Sequence, residues 1–333
     1  MSSPSWTYPD DLLAGLERLG VRPTGATPPS LVRDFANDLY RYELRRLRDE
    51  LRAGRVEKAS YHARVVDLRR QYWVLTLPPK AWGEICRPKG SAMRLALVQQ
   101  HATANQAVNV NRGMEAMRRA AADGAQLVVF AELAFTPFYP QAPPTGDVRA
   151  LAEAVPGPTT EAFSALAREL GIVVVLNVFE RAGDATYDCS PVIDADGRLL
   201  GKTRMVHITE YPCVHERQYY QPGDLGAPLF DTRVGRVGVA ICYDRHFPEY
   251  MRALALGLAD LVVVPQAGAV DEWPAGVFEG EMCTTAFQNG YFVALCNRVG
   301  EEACLTFAGE SFVCGPEGVV RAPSAFSSTR GSP

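Results

Sequence analysis

The sequence predicts an α/β protein in which layers of sheet and helix are stacked, preceded by a helical N-terminal arm. Its 333 residues are 47% hydrophobic and 22% charged, which is typical of a globular protein. From Met93 onward, short apolar runs alternate with longer amphipathic segments, as expected for strands followed by helices. Runs such as QLVVFAE and ADLVVVPQ are almost continuously apolar, which is typical of strands buried on both faces.

The chain divides into two parts that differ in their pattern of apolar and charged residues. We expect residues 1–90 to form a helical N-terminal arm with a linker, and residues 91–333 to form one large α/β domain. The stretch LPPKAWGEICRPKG at 77–90 contains three prolines and two glycines, and it predicts the linker.

The N-terminal arm is rich in charge. Residues 31–72 are predicted to be helical, because leucines and other apolar residues recur there at helical spacing. Between Arg41 and Arg70, basic residues outnumber acidic residues ten to five. This excess favours a solvated helix face, and an arm that contacts another subunit is the alternative.

The second part is predicted to contain six strands and four helices, with a hairpin turn at Asp194-Ala195-Asp196-Gly197. The helix that starts near Thr159 opens with residues suited to an N-terminal cap. The predicted strands are 93–99, 126–132, 171–180, 236–242, 259–266 and 291–297, and the predicted helices are 105–122, 159–170, 248–256 and 276–289.

Charge and composition argue against several classes of protein. The formal net charge of -4 gives no overall attraction to nucleic acid or to an anionic membrane. We find no apolar run near the roughly 18 residues that span a bilayer. The sequence MSSPSWTYPDDLLAGL lacks the basic and apolar regions of a secretory signal, so we expect a cytoplasmic protein. The eight cysteines form no CxxC pair, and we expect most to be reduced, with no metal site and no cofactor.

Cys242 is the cysteine whose position indicates chemistry. It ends the apolar run VGVAI and is followed at once by the polar sequence YDRHFPE. Reactive groups in α/β folds lie at the carboxyl ends of strands. Backbone N–H groups at the start of a following helix favour a thiolate and can bind an oxyanion. The alternative is that Cys242 is a small buried hydrophobic residue.

Glu132 has a matching position at the end of the apolar run LVVFA. Burial raises the pKa of a carboxyl group toward that of a working general base. An ion-paired or capping glutamate is the alternative for this residue. A third polar segment, residues 201–226, contains Lys202, Arg204, His207, Glu210, His215 and Glu216.

These segments belong to a set of five sequence motifs that follow one another along the chain. The runs VVFAELAFTPFYP, GKTRMVHI, HERQYYQPGDLG, GVAICYDRHFPE and ALCNRVG resemble those of the nitrilase superfamily of carbon–nitrogen hydrolases. They are most similar to the branch of β-ureidopropionase and the N-carbamoyl amino acid amidohydrolases. The resemblance implies a four-layer αββα sandwich that assembles into a homodimer or a larger homo-oligomer. The chain is expected to be short at its C-terminus for this family.

The resemblance also implies roles for individual residues. It makes Cys242 the nucleophile, Glu132 the base and Glu216 a second acidic residue of the site. Arg245 matches an arginine that binds a substrate carboxylate, and a guanidinium suits this role because its donors meet both oxygens. The backbone N–H of Tyr243 is expected at the oxyanion. Three further side chains are expected to contact substrate: Tyr139, His207 and Tyr243.

Met205 is the main departure from the family pattern. The family has a catalytic lysine there, in an R-K-x-H sequence, whereas this chain reads Arg204-Met205-Val206-His207. Lys202 lies three residues earlier, so on a strand it should face the opposite side. Either another cation such as Arg204 or His207 replaces the lysine, or the chemistry needs none, or hydrolase activity is lost.

The sequence therefore predicts a cofactor-free hydrolase of a small linear amide or N-carbamoyl compound, acting through an acyl-enzyme on Cys242. The alternative is a diverged or catalytically silent protein that binds a ligand or partner, which Met205 motivates. Binding of nucleic acid through the basic arm is the third and least favoured interpretation, because the arm also contains acidic residues.

Overall fold

A computed structural model describes most of the chain, namely residues 6–78, 81–82, 86–88 and 93–323. Its internal contacts divide the chain into two compact units, Met1–Ala92 and Met93–Pro333. The predicted linker at 77–90 lies partly outside the described residues, and the C-terminal stretch 324–333 lies wholly outside them.

The first unit is a small helical assembly with one short ribbon. Strand β1 (Trp6–Thr7) pairs antiparallel with β2 (Arg87–Pro88). Its buried core consists of apolar side chains from the helices and the following turn, including Leu12, Leu16, Val32, Val74 and Trp82. The helices are α1 (Asp10–Arg18), α2 (Pro29–Arg52) and α3 (Lys58–Gln71).

The prediction of a single helix over 31–72 is wrong, because α2 and α3 are separate. The chain leaves α2 through Gly54, whose φ of +72° lies in the left-handed region that favours glycine. No described residue of α3 is fully buried. Acidic and basic side chains pair along the exposed surface of α2, for example Asp38 with Arg41.

The second unit contains two six-stranded sheets. The first sheet has a parallel core in which β3 pairs with β4, and β4 pairs with β5. The antiparallel strand β7 pairs with β5, β6 and β8. Its strands are β3 (Leu95–Val98), β4 (Leu127–Phe130), β5 (Val173–Val175), β6 (Val178–Ala182), β7 (Ala185–Ile193) and β8 (Leu199–Arg204).

The second sheet has the order β16-β15-β12-β11-β10-β9. Strands β10, β11 and β12 are parallel, and the outer strands run antiparallel to their neighbours. Its strands are β9 (Leu229–Thr232), β10 (Gly235–Val239), β11 (Leu261–Gln266), β12 (Phe292–Asn297), β15 (Phe312–Cys314) and β16 (Val320–Pro323). Strands β13 (Val299–Glu301) and β14 (Thr306–Ala308) form a separate antiparallel ribbon.

Four helices cover the two sheets and complete four layers. Alternate residues of β4 point to opposite sides, so Val129 joins the core between the sheets and Val128 joins the core beneath the first pair of helices. A third core lies between the second sheet and the other helices. This arrangement confirms the predicted αββα sandwich. The helices are α4 (Gln106–Ala122) and α5 (Pro158–Leu170), then α6 (Pro248–Leu256) and α7 (Val277–Asn289).

The strand predicted at 171–180 is interrupted. It forms β5 and β6, which pair with β7 in one continuous register, and the Leu176 N–H donates to the Pro191 carbonyl between them. The interruption contains Asn177, whose side chain is fully buried and bonds within the site described below. None of the helices in the described part of the chain is both long and apolar enough to cross a bilayer.

Candidate active site

Cys242 lies just beyond the carboxyl end of β10. It begins a short 3₁₀ turn, Cys242–His246, and α6 follows from Pro248. Its φ of +43° is unusual for a residue other than glycine, and such strained backbone is concentrated at functional sites. The sequence suggested a helix directly after Cys242, whereas the structure has this tighter turn first.

Glu132 lies at the equivalent end of β4 in the other sheet and is fully buried. The next residue, Leu133, also has a positive φ, +44°. Its N–H donates a 2.7 Å hydrogen bond to Oδ1 of Asn177. The interrupted strand between β5 and β6 therefore fixes the backbone that presents Glu132.

Arg298 is a second support for Glu132, and the sequence analysis did not assign it a role. Its buried guanidinium donates to the Glu132 carbonyl at 2.9 Å, to the Leu133 carbonyl, and to the Thr136 carbonyl at 3.1 Å. It also pairs with Glu302. The ALCNRVG motif could have indicated this role, because a charged residue at the end of a buried strand needs several hydrogen-bond partners.

Glu216 approaches from the loop after β8, in the short turn Glu216–Gln218. It is 1% exposed, and its Oε2 accepts the Thr209 N–H at 3.1 Å. One ligand atom from each of Glu132, Glu216 and Cys242 lies within 4.8 Å of the other two. The structure thus brings together three of the predicted site residues, with a spacing that a divalent cation could also bridge.

Asp188 and Tyr220 belong to the same cluster, although the sequence analysis did not identify them. Asn177 donates to Asp188 Oδ1 at 2.5 Å, whereas Asp188 Oδ2 has no hydrogen-bond partner among the described residues. The same is true of the Tyr220 hydroxyl and of both Glu132 oxygens. These four buried oxygen atoms lack a well-formed hydrogen bond, although Glu132 lies within reach of both Asp188 and Cys242.

Burial and mutual repulsion control the charges of this cluster. Burial raises the pKa of Glu132 well above the ordinary value, and the charges of Asp188 and Glu216 raise it further. Burial also raises the pKa of Asp188, to about 7. The pKa of the Cys242 thiol is raised by burial and by both glutamates, and lowered by Arg245. The site therefore disfavours further negative charge.

Met205 is fully buried in the core between the sheets, where Cys242 and Tyr220 also pack. Its backbone N–H donates to the Asp188 carbonyl at 2.9 Å, which fixes its position beside the acidic cluster. A thioether there provides neither a charge nor a hydrogen-bond donor.

The basic residues near Met205 in sequence are engaged elsewhere. Lys202 and Arg204 both pair with the buried carboxylate of Glu180, and Arg204 also pairs with Asp224. His207 lies 2.7 Å from Asp244 through Nδ1, and its ring stacks on another aromatic side chain. These contacts engage all three basic residues with carboxylates other than those of Glu132 and Glu216.

Arg245 supports the nucleophile from its backbone side. Nη1 donates to the Cys242 carbonyl at 2.9 Å and to Gln266 at 2.6 Å. The guanidinium also stacks over Phe278 and lies 3.5 Å from Glu281. Nη2 and Nε have no hydrogen-bond partner among the described residues, and since Nε lies near Glu281, Nη2 remains to meet a ligand.

The remaining predicted contact residues lie on aromatic surfaces around the cluster. Tyr139 packs against Phe179, with ring centroids 6.1 Å apart. Tyr243 is partly exposed, and its ring lies 4.9 Å from that of His246. The Tyr211 hydroxyl donates a hydrogen bond to Glu272, a contact that the sequence did not indicate.

The fold and this cluster define an α/β enzyme whose thiol and acidic groups meet at the ends of two stacked sheets. The carbon–nitrogen hydrolase family model matches residues 94–329. N-carbamoylputrescine amidase from Solanum lycopersicum is 33% identical over 244 residues, 69% of this chain and 81% of that protein. Beta-ureidopropionase from Arabidopsis thaliana is 36% identical over 154 residues, 45% of this chain and 38% of that protein.

Solved structures agree with this match. An amidase of the nitrilase superfamily from Nesterenkonia has a TM-score of 0.63 and 27% identity, covering 71% of this chain and 88% of that chain. Another structure of that amidase shows the acetamide moiety of fluoroacetamide added covalently at the active site cysteine. The chain therefore belongs to the carbon–nitrogen hydrolase family, and the predicted resemblance is confirmed. It is a carbon–nitrogen hydrolase.

Proposed function

We propose that this enzyme cleaves a non-peptide C–N bond of a small linear amide or N-carbamoyl compound through a covalent intermediate on Cys242. The observation that supports this most directly is the approach of Glu132, Glu216 and Cys242 to within 4.8 Å at the strand ends. The relative from Solanum lycopersicum is named for hydrolysis of an N-carbamoyl compound, which supports the same substrate class.

The reaction begins when Glu132 takes the thiol proton of Cys242. Both groups have raised pKa values, so the proton transfer is between two groups that resist ionisation in this site. The thiolate then attacks the amide or carbamoyl carbon, and the C–N bond breaks as Glu132 returns the proton to the leaving ammonia or amine. Water deprotonated by Glu132 releases the acid and restores the thiol. Glu216 orients the substrate nitrogen.

The nucleophile is tested with Cys242→Ala, assayed for ammonia release from a panel of N-carbamoyl compounds and amides. We expect turnover to be lost while circular dichroism stays unchanged. Intact-protein mass spectrometry of the wild type should show an acyl adduct on Cys242, as the covalent adduct of the related amidase suggests. Cys283→Ser is the matched control, because this thiol packs in the separate core beneath α6 and α7. Full activity of Cys242→Ala would refute the proposal.

A diverged, catalytically silent protein is the second candidate, because Met205 replaces the cation expected beside the thiol. In that case no member of the panel releases ammonia or forms an adduct. Iodoacetamide would then modify Cys242 no faster than the other free thiols. Faster modification of Cys242 than of Cys283, together with turnover, favours the enzyme.

Assembly and location are proposed on the resemblance to the family. We propose a homodimer or larger homo-oligomer, formed by pairing of two sandwiches, and a cytoplasmic location. Light scattering on the purified full chain measures the assembly, and a monomer at working concentration would contradict it.

A further inference from the structure

We infer that the site also accepts, and prefers, substrates whose reacting group is a cation, an amidinium or a guanidinium, held by Glu132, Glu216 and Asp188. This extends the proposed function to a further activity and rests on it in one respect, namely that Cys242 is the nucleophile. The product of a guanidinium compound is then the corresponding ureido compound, and that of an amidinium compound is the amide.

The first argument is the charge of the buried cluster. Three carboxyl groups and a thiol are packed together, with at most 9% exposure for any of them. Arg245 lowers the pKa of the Cys242 thiol, and part of its guanidinium is already bonded to Gln266 and paired with Glu281. A cluster of this kind binds a positive group more favourably than a neutral one.

The second argument is the set of unsatisfied oxygens. Both oxygens of Glu132, Oδ2 of Asp188 and the Tyr220 hydroxyl are buried without a hydrogen-bond partner among the described residues. Tyr220 follows Glu216 in the same turn, and its N–H donates to the Glu216 carbonyl at 2.8 Å. Burial together with the charges of Asp188 and Glu132 raises the pKa of the Tyr220 hydroxyl. An amidinium or guanidinium has several N–H donors in one plane, and it would satisfy acceptors that a neutral carbonyl group would repel.

The third argument is the chemistry that Met205 permits. Attack on a neutral amide places negative charge on the carbonyl oxygen, which would develop here among carboxylates and without the donor of a lysine. Attack on an amidinium or guanidinium instead neutralises its positive charge. The tetrahedral intermediate carries no oxyanion, so a thioether at position 205 is compatible with the reaction.

The steps balance with water as the only other reactant. Glu132 takes the Cys242 proton, the S–C bond forms, and the electron pair of the C=N bond moves to nitrogen. Glu132 protonates one nitrogen, the C–N bond breaks, and ammonia leaves a cationic S-substituted isothiouronium or thioimidate. Water adds as Glu132 takes its proton, and the C–S bond breaks as the new hydroxyl proton returns to sulfur. Ammonia leaves the site as ammonium with the proton held by Glu132.

Pairs of compounds that differ only in this group test the inference. Agmatine is compared with N-carbamoylputrescine, guanidinoacetate with N-carbamoylglycine, and acetamidine with acetamide. We expect kcat/KM for ammonia release to be at least about tenfold higher for the cation in the preferred pair. Titration calorimetry with the Cys242→Ala variant measures binding without turnover, and the cation should bind at least about tenfold more tightly.

The possible results separate this inference from the proposed function. Turnover or binding that favours the neutral member of every pair overturns the inference and leaves the proposed function intact. Tighter binding of the cation without any turnover supports cation recognition and contradicts the role of Cys242. The inference would also be overturned if the preference for the cationic compound disappeared after a chelator removed divalent metal. The preference would then depend on a metal ion bound to the carboxyl groups.

Two substitutions identify the groups responsible. Asp188→Asn keeps the size of the side chain and removes its charge, so it should lower the cation preference chiefly through a higher KM. Met205→Lys adds a positive charge at the same place and should shift the preference toward the neutral compound. Met205→Leu is its matched control and should retain the ratio between the two. Equal ratios in all three variants, each folded by circular dichroism, would contradict the inference.

Discussion

At the scale of single residues, Glu132 is a carboxyl group that the protein buries without giving its oxygens a hydrogen-bond partner among the described residues. Asp188 and Cys242 both lie within hydrogen-bonding reach of Glu132, and both affect its pKa. Such a group is costly for stability, and the proposed role of Glu132 as a base accounts for its presence.

The pH dependence of the reaction follows from this environment. In the proposed mechanism Glu132 must be deprotonated to act, so the acid limb of kcat/KM should lie well above the ordinary glutamate range. Glu216→Gln removes a negative neighbour, which lowers the pKa of Glu132 and should move the acid limb to lower pH. A pH profile of ammonia release measures both effects. Glu249→Gln, at an exposed position on α6, is the control and should leave the limb in place.

The sequence identified residues at strand ends better than residues within strands. Cys242 and Glu132 each follow an apolar run, so their places at the edge of a sheet were predictable. Asp188 lies in the middle of β7, where the sequence gives no sign of which neighbours its side chain meets. Asn177 lies in a stretch that the sequence predicts to be one continuous strand, so its place in the site was not predictable. Sequence also could not show that Arg245 would bond to the backbone of Cys242.

At the scale of elements, the loop after β4 is held by Arg298 more than by its own hydrogen bonds. The guanidinium donates to three backbone carbonyls of this loop and pairs with Glu302. A fully buried arginine with this many partners links the ribbon that follows β12 to the loop that presents Glu132.

Arg298→Met should therefore destabilise the protein strongly. It leaves the Glu302 carboxylate and several buried carbonyls without their donor, a loss of about 3–5 kcal/mol in the free energy of unfolding. Urea denaturation followed by fluorescence measures it. Arg118→Met is the comparison, because its partner Glu169 is exposed and the loss of such a pair changes stability little. Equal effects of the two substitutions would contradict the structural role of Arg298.

Helix boundaries show where sequence patterns are insufficient. Apolar spacing continues across Gly54, so the pattern over 31–72 did not reveal the break between α2 and α3. The break includes Gly54 in the left-handed conformation. Glycine can adopt this conformation but also others, so its presence in the sequence does not predict a break. Strand and helix positions in the second unit were predicted more closely, because each apolar run there is bounded by polar turns.

At the scale of the whole molecule, the αββα sandwich was predictable from the order of strands and helices together with the five motifs. The disulfide between Cys213 and Cys304 was not, since 91 positions separate the two residues in sequence. The other six cysteines, including Cys242, are free thiols, in agreement with the expectation that most are reduced.

Reduction of this disulfide should lower the stability of the enzyme. A cross-link that closes a loop of this length stabilises a protein by about 2–4 kcal/mol, chiefly by restricting the unfolded chain. Thermal unfolding with and without dithiothreitol measures the difference as a lower Tm in the reduced protein. The variant Cys213→Ser with Cys304→Ser should unfold at the lower temperature in both conditions. A further decrease in that variant on adding dithiothreitol would assign the effect to other thiols.

The same cross-link makes the chain between Cys213 and Cys304 a covalently closed ring that contains Glu216 and Cys242. A protease that cuts once inside this ring leaves a single molecule, since both fragments stay joined through sulfur. Damage to the segment that carries the thiol would then be invisible on a non-reducing gel and would appear only after reduction. The integrity of this part of the enzyme must be read under reducing conditions.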